Sequence, residues 1–110
     1  MSAPICEADL QQAVIDLAHL LRWRVAHFRP AMTRGRWSTP VSGDGAGFPD
    51  LVLVRGGRVI FAELKAAKGR LRPEQEVWLD ALRAADGPTL STYTWRPDDW
   101  FAGRIEEVLR

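Results

Sequence analysis

The segment "DLVLVRGGRVIFAELK", Asp50 to Lys65, constrains this chain more than any other. Two runs rich in Val, Ile, Leu and Phe flank Gly56-Gly57. A Gly-Gly pair between such runs signals a two-residue hairpin turn, because both turn residues need positive φ. The turn then sets the register. Arg55 faces Arg58, Val54 faces Val59, Val52 faces Phe61, and Asp50 faces Glu63. Lys65, two residues beyond Glu63, lies on the same face. The spacing therefore predicts strands over Asp50–Val54 and Val59–Lys65, with three charged residues gathered at one end of one sheet face.

Directly opposed strand positions have Cβ atoms about 5 Å apart. Two carboxylates at that spacing repel unless one is protonated or a cation sits between them. A hard divalent cation resolves the conflict, since Mg²⁺ takes one or two protein carboxylates and fills its other positions with water and phosphate oxygens. With a lysine beside it, such a pair can polarise a phosphodiester, activate a water and stabilise the developing charge. The plainer readings are a rim ion pair of Lys65 with either acid, worth little, and Asp50 as a turn residue after Pro49.

The rest of the chain supplies a frame for this hairpin. Leu10, Val14, Leu17 and Leu21 recur at helical spacing, which predicts an amphipathic helix from about Ala3 to Leu21. Trp23–Phe28 reads as a strand. "RPAMTRGRWSTPVSGDGAGFP" reads as one long loop, and its length points to function or mobility. Pro73 suits the first turn of a helix running to about Ala85, with Trp78, Ala81, Leu82 and Ala85 as its core face. "TLSTYTW" is a further strand. "RPDDW" opens a last helix with apolar Trp100, Phe101, Ile105, Val108 and Leu109, capped by Asp98 or Asp99. The order α-β-loop-β-β-α-β-α describes a single domain, residues 1–110, with a mixed sheet flanked by helices, of class α/β or α+β.

Charge is distributed unevenly. Residues 1–72 carry eleven Lys/Arg against six Asp/Glu, and residues 73–110 carry four against eight. Arg22, Arg24, Arg29, Arg34 and Arg36 form one basic cluster, and Lys65, Lys68, Arg70 and Arg72 another. Such one-sided charge suits a polyanion, although solvated charge alone gives the same pattern. Cys6 is the sole cysteine, which excludes an internal disulfide and fits a reducing compartment. No apolar run approaches the roughly 20 residues of a membrane span, and no secretory signal is evident at Met1–Leu10. A cytoplasmic protein without membrane association is expected.

These residues resemble the VRR-NUC (virus-type replication-repair nuclease) family of the PD-(D/E)xK nuclease superfamily. The resemblance rests on "FPD", the hairpin and "AELK", together with "EADLQQAVIDLAHLLRWRVAHFRPA", "GRLRPEQEVWLDALRAA" and "YTWRPDDW". It covers nearly the whole chain and looks like the small stand-alone phage or bacterial type. It implies an α/β restriction-endonuclease-like core, α-β-β-β-α-β with a C-terminal helix, and a Mg²⁺- or Mn²⁺-dependent DNA endonuclease. By the same resemblance Asp50 and Glu63 hold the metal with the Leu64 carbonyl, Lys65 orients or activates the attacking water, Glu7 on the first helix joins the site, and Gln75 lies close to it. Two positions depart from the family pattern. Arg72 stands where a serine commonly caps the second helix, and Ala46 where a lysine is frequent.

Arg22, Arg24, Arg29, Arg34, Arg36, Lys68, Arg70 and Arg72 are the candidate phosphate contacts, which position a nucleic acid without reading its sequence. No base-reading motif is present, so cutting guided by DNA structure, at Holliday junctions or flaps in replication or repair, is expected. A homodimer would bring two sites to such a branched substrate. Trp37 suits either base stacking or anchoring of the loop. His27 reads as a structural or phosphate-contacting residue, and no second His or Cys stands at zinc spacing. The rival reading is a non-catalytic DNA-binding module of a replication or repair complex.

Overall fold

Gly56 and Gly57 take φ of 55° and 80°, and the turn they form closes the hairpin in the register set by the sequence. In the computed structural model, residues 5–28, 31–33, 35–38 and 42–110 are described, with backbone alone for 31–33 and 36–38. The elements are α1 (Glu7–Leu20), β1 (Arg24–His27), β2 (Ala31–Thr33), β3 (Arg36–Ser38), β4 (Leu51–Arg55), β5 (Arg58–Leu64), α2 (Pro73–Arg83), β6 (Leu90–Trp95), α3 (Pro97–Phe101) and α4 (Arg104–Leu109). A four-stranded mixed sheet has the order β1-β4-β5-β6. β4 pairs antiparallel with both neighbours, and β6 runs parallel to β5 after the α2 crossover. This is the α/β, restriction-endonuclease-like order of helix, three strands, helix and strand.

The two faces of the sheet differ. Leu51, Leu53, Ile60, Ala62 and Leu64 project to one face and form a core with Leu10, Val14 and Ala18 of α1 and with Ile105 and Leu109 of α4. Each such fully buried leucine contributes about 1.5–3 kcal/mol. The period-two alternation turns Phe61 and Glu63 to the opposite face, where α2 packs beside β6. Burial of Leu51, Leu53, Ile60, Ala62 and Leu64 against α1 locks the register, because a slip of one residue would exchange the two faces.

Four local expectations are corrected. The segment after β1 is not a plain loop, for β2 and β3 form an antiparallel hairpin of their own. Helix α2 buries Gln75 and Leu79 and ends at Arg83, while Ala81 and Ala85 are exposed. The core stripe is therefore rotated from the expected one, because the face turned toward Glu63 takes a polar residue. The last helix is broken at Gly103, whose φ of 77° ends α3 and starts α4. Phe101 falls on the outer side of that break and is exposed. No helix among the described residues is long and apolar enough to cross a membrane.

Candidate active site

The antiparallel ladder ends at Leu51↔Ala62, one pair short of Asp50 and Glu63. Beyond it the Asp50 carboxylate takes the place of a backbone acceptor, and the Leu64 N–H donates to Asp50 Oδ2 at 2.8 Å. The Asp50 carbonyl accepts from Phe28 N–H at 3.0 Å, tying the residue to both flanking strands. Glu63 remains in β5 and is only 2% exposed. Lys65 Nζ stands 3.7 Å from Glu63 Oε2 and is itself largely covered. The three charged residues thus meet at one end of the sheet, as the turn register required.

Gln75 explains how the Glu63 carboxylate is aimed. Arg72 is the N-cap of α2, but a guanidinium has no acceptor and cannot cap with its side chain. The cap is made in reverse, with Arg72 N–H donating to Gln75 Oε1 at 2.9 Å. That bond fixes which way the amide points, so Gln75 Nε2 faces Glu63 and donates to its Oε2 at 3.0 Å. The departure at Arg72 is therefore answered by the same residue that holds the glutamate.

These groups line a cavity of about 300 Å³ with Glu7, Gly47, Phe48, Arg70 and Arg72. Two of its walls were not singled out by the sequence. Gly47, at φ 83°, brings the loop against the first turn of α2, and a Cβ there would stand 2.5 Å from the Glu74 backbone. Only glycine permits both that conformation and that approach. Phe48 packs edge-on against Phe28, Phe61 and Trp78, with ring centroids 5.0–6.0 Å apart. A glycine directly before "FPD" was the available signal for both.

The electrostatics follow from burial. Burial raises the pKa of Glu63 most, the Asp50 charge adds to the rise, and Lys65 opposes it; the pKa is pushed up to about 8. Asp50 is also raised by burial, against the Leu64 N–H, the hydrogen bond shared with Glu63, Lys65 and His27. Glu7, half-buried at the start of α1, is raised by burial and by Asp50, and lowered by Lys65 and Arg72. Without a cation, then, the Asp50–Glu63 pair holds on to a proton well above the usual carboxylate range.

Glu63 Oε1 is buried with no hydrogen-bond donor. An ionised carboxylate oxygen left in this way is costly; a proton held by the pair, or a cation beside Asp50 and Glu63, would satisfy it. The donor set fits a hard ion. Among the described residues no three His, Cys, Asp or Glu side chains converge closely enough to hold a metal. The protein share would therefore be the Asp50 and Glu63 carboxylates, with a backbone carbonyl and solvent completing the shell.

The remaining candidates separate by position. Arg70 and Arg72 line the cavity, and Lys68 is exposed on the same loop. Arg24 pairs with Val54 near the hairpin turn, four residues along β4 from Asp50, or about 13 Å at 3.3 Å per residue. Arg22 is farther still, at the end of α1. Its φ of 70° closes the helix as a glycine normally would, with Trp23 N–H donating to Ala18 O. Arg29 and Arg34 lie outside the described residues, and for Arg36 only the β3 backbone is described, as for Trp37. His27 is half-buried in β1 near Asp50.

The VRR-NUC domain profile matches residues 7–90, most of the chain. The chain belongs to the VRR-NUC domain family. The match begins at Glu7 and runs through Asp50, Glu63, Lys65 and Gln75. The VRR-NUC domain is nuclease-type, with a DNA-processing function. Comparison with curated proteins finds no match, and comparison with solved structures finds none.

Proposed function

We propose that this VRR-NUC domain is a divalent-metal-dependent DNA endonuclease that hydrolyses phosphodiester bonds and selects branched DNA, such as Holliday junctions or flaps. One observation carries the reading. A buried Glu63 carboxylate, with one oxygen lacking any donor, and the half-buried Asp50 carboxylate share a cavity with a lysine and two arginines. A binding module needs arginines for phosphate but has no use for facing acids, which repel the same phosphate.

Asp50 and Glu63 would hold Mg²⁺ or Mn²⁺ with the Leu64 carbonyl. When bound, such an ion supplies charge neutralisation at the scissile phosphate and permits both acids to ionise together. Lys65 orients the attacking water and carries positive charge beside the phosphorus oxygens. Gln75 keeps the Glu63 carboxylate in one orientation. Glu7 acts as a third negative wall, in reach of Asp50 and Lys65. Arg70 and Arg72, with Lys68 on the same loop, contact the DNA backbone on the β5 side. A cytoplasmic homodimer presenting two such sites suits a two-fold branched substrate.

The test is cleavage of linear, nicked, flap and four-way DNA with Mg²⁺, Mn²⁺ or EDTA, repeated with Asp50→Ala and Lys65→Ala. Metal-dependent cutting of the branched substrates, lost in both variants, is the expected result. DNA binding without cutting under every metal condition would make the protein a binding module instead.

A further inference from the structure

The loop after Lys65 belongs to no strand or helix, yet one side chain fixes its backbone twice. Arg96 Nη1 donates to the carbonyls of Ala66 and Gly69, at 2.8 and 2.7 Å. One guanidinium nitrogen carries two hydrogens, so neither bond is shared. Gly69 N–H returns to Ala66 O at 3.1 Å and closes the clasp. Arg96 is itself held. It follows Trp95, whose carbonyl accepts the Lys65 N–H at 3.0 Å. Its own N–H donates to Asp99 Oδ2 at 2.8 Å, and Asp99 Oδ1 accepts from Arg104 Nε at 2.8 Å.

The clasp also reaches the Lys65 side chain. A Cβ placed on Gly69 would stand 3.5 Å from Lys65 Cδ and 3.3 Å from the Ala66 nitrogen. Gly69 therefore lies near the lysine stem, with space between them that a Cβ would fill. A lysine has a flexible four-carbon stem, and its ammonium keeps one place only if that stem is braced. Here the ammonium lies 3.7 Å from Glu63 Oε2. Arg70, which lines the cavity, is the next residue after Gly69.

We propose that Arg96 is a positioning residue for Lys65, acting through the carbonyls of Ala66 and Gly69, which hold the loop that directly follows the lysine and runs near its stem. The inference rests on the nuclease reading for its kinetic consequence but not for its structural one. Arg96 touches neither Asp50 nor Glu63 by hydrogen bond, so its loss should misplace the lysine without removing the acids.

Arg96→Met should lower kcat about 10²-fold, the scale of a small misplacement at a reacting centre, with KM changed by less than about twofold. Arg96→Lys should recover part of the loss, since an ammonium can also donate to two carbonyls. Added millimolar guanidinium should recover part of it in Arg96→Met. The chain has only two lysines, Lys65 and Lys68, so ¹³Cε-labelled lysine gives two NMR signals. In Arg96→Met the Lys65 signal should move toward that of exposed Lys68, which stays in place. A folded Arg96→Met protein with unchanged kcat well below its Tm, or with an unmoved Lys65 signal, overturns the inference. Wild-type protein that cuts no DNA overturns the nuclease reading instead, while the Lys65 signal still decides the clasp.

Discussion

The β4–β5 hairpin has two ends that treat buried charge in opposite ways. At the Gly56-Gly57 end, Arg55 and Arg58 lie over the Trp23 ring, 4.6 and 5.1 Å from its centroid. Arg55 donates to the carbonyls of Leu21, Leu109 and Arg110, Arg58 to that of Val108, and Trp23 Nε1 to that of Leu109. Positive side chains meet the negative ends of α1 and α4, where helix carbonyls lack partners. At the other end, Asp50 and Glu63 are set against each other, and Glu63 Oε1 has no donor. One end spends its charges on holding the fold together. The other holds two acids that cannot readily ionise together until a cation binds.

The widest separation between the two ends should appear in kinetics. Asp50→Asn should abolish cleavage, and Lys65→Met should reduce it about 10²–10⁴-fold, the range for groups that act on a proton in the reaction. Both variants should remain folded by circular dichroism. Arg55→Met should do the reverse. It removes charge-assisted bonds to three carbonyls, costing about 2–3 kcal/mol, and leaves the cleavage rate unchanged well below the lowered Tm. A variant at the turn end that cuts poorly while fully folded would break the division.

A smaller effect concerns pH. The folded Glu63 is raised from 4.5 to about 8, so between these values the folded state binds more protons than the unfolded one. The stability this group contributes is complete below pH 4.5 and is lost as pH rises through about 8. In EDTA, Glu63→Gln should therefore raise Tm at pH 8 by about 5 °C, and by much less at pH 5; with Mg²⁺ present it should end cleavage. Mg²⁺ should raise the wild-type Tm more at pH 8 than at pH 5. Calorimetric scans at the two pH values check both statements. An equal Glu63→Gln effect at the two pH values would show that the buried acid is not the source.

The finest distinction lies among the arginines. Arg70→Gln should weaken DNA binding and reduce the slope of log affinity against log salt by about 1. Arg22→Gln, at the far end, should leave that slope unchanged. Equal effects would extend the DNA path along the whole sheet.

The hairpin was legible because its information is local. The Gly-Gly turn and the alternation of apolar residues set a register that places Asp50, Glu63 and Lys65 together, and the ladder from Arg55↔Arg58 to Leu51↔Ala62 follows it. The alternation of helices and strands and the β6 strand were legible for the same reason; that β6 runs parallel to β5 was not. Other features depend on contacts between residues distant in sequence. That Gln75 faces Glu63 follows from how α2 is rotated on the sheet, which an apolar pattern alone misplaces by including Ala81. That Gly47 must be glycine follows from the close approach of α2. That Arg24 and Arg22 stand away from Asp50 follows from the antiparallel pairing of β1 with β4. That Arg96 braces the loop after Lys65 follows from β6 lying beside β5. Short-range geometry thus determined which residues carry the charge, because turn and pleat have fixed periods. Tertiary packing decided how each charge is compensated, because compensation in a buried site depends on whichever distant donors and acceptors the fold delivers there.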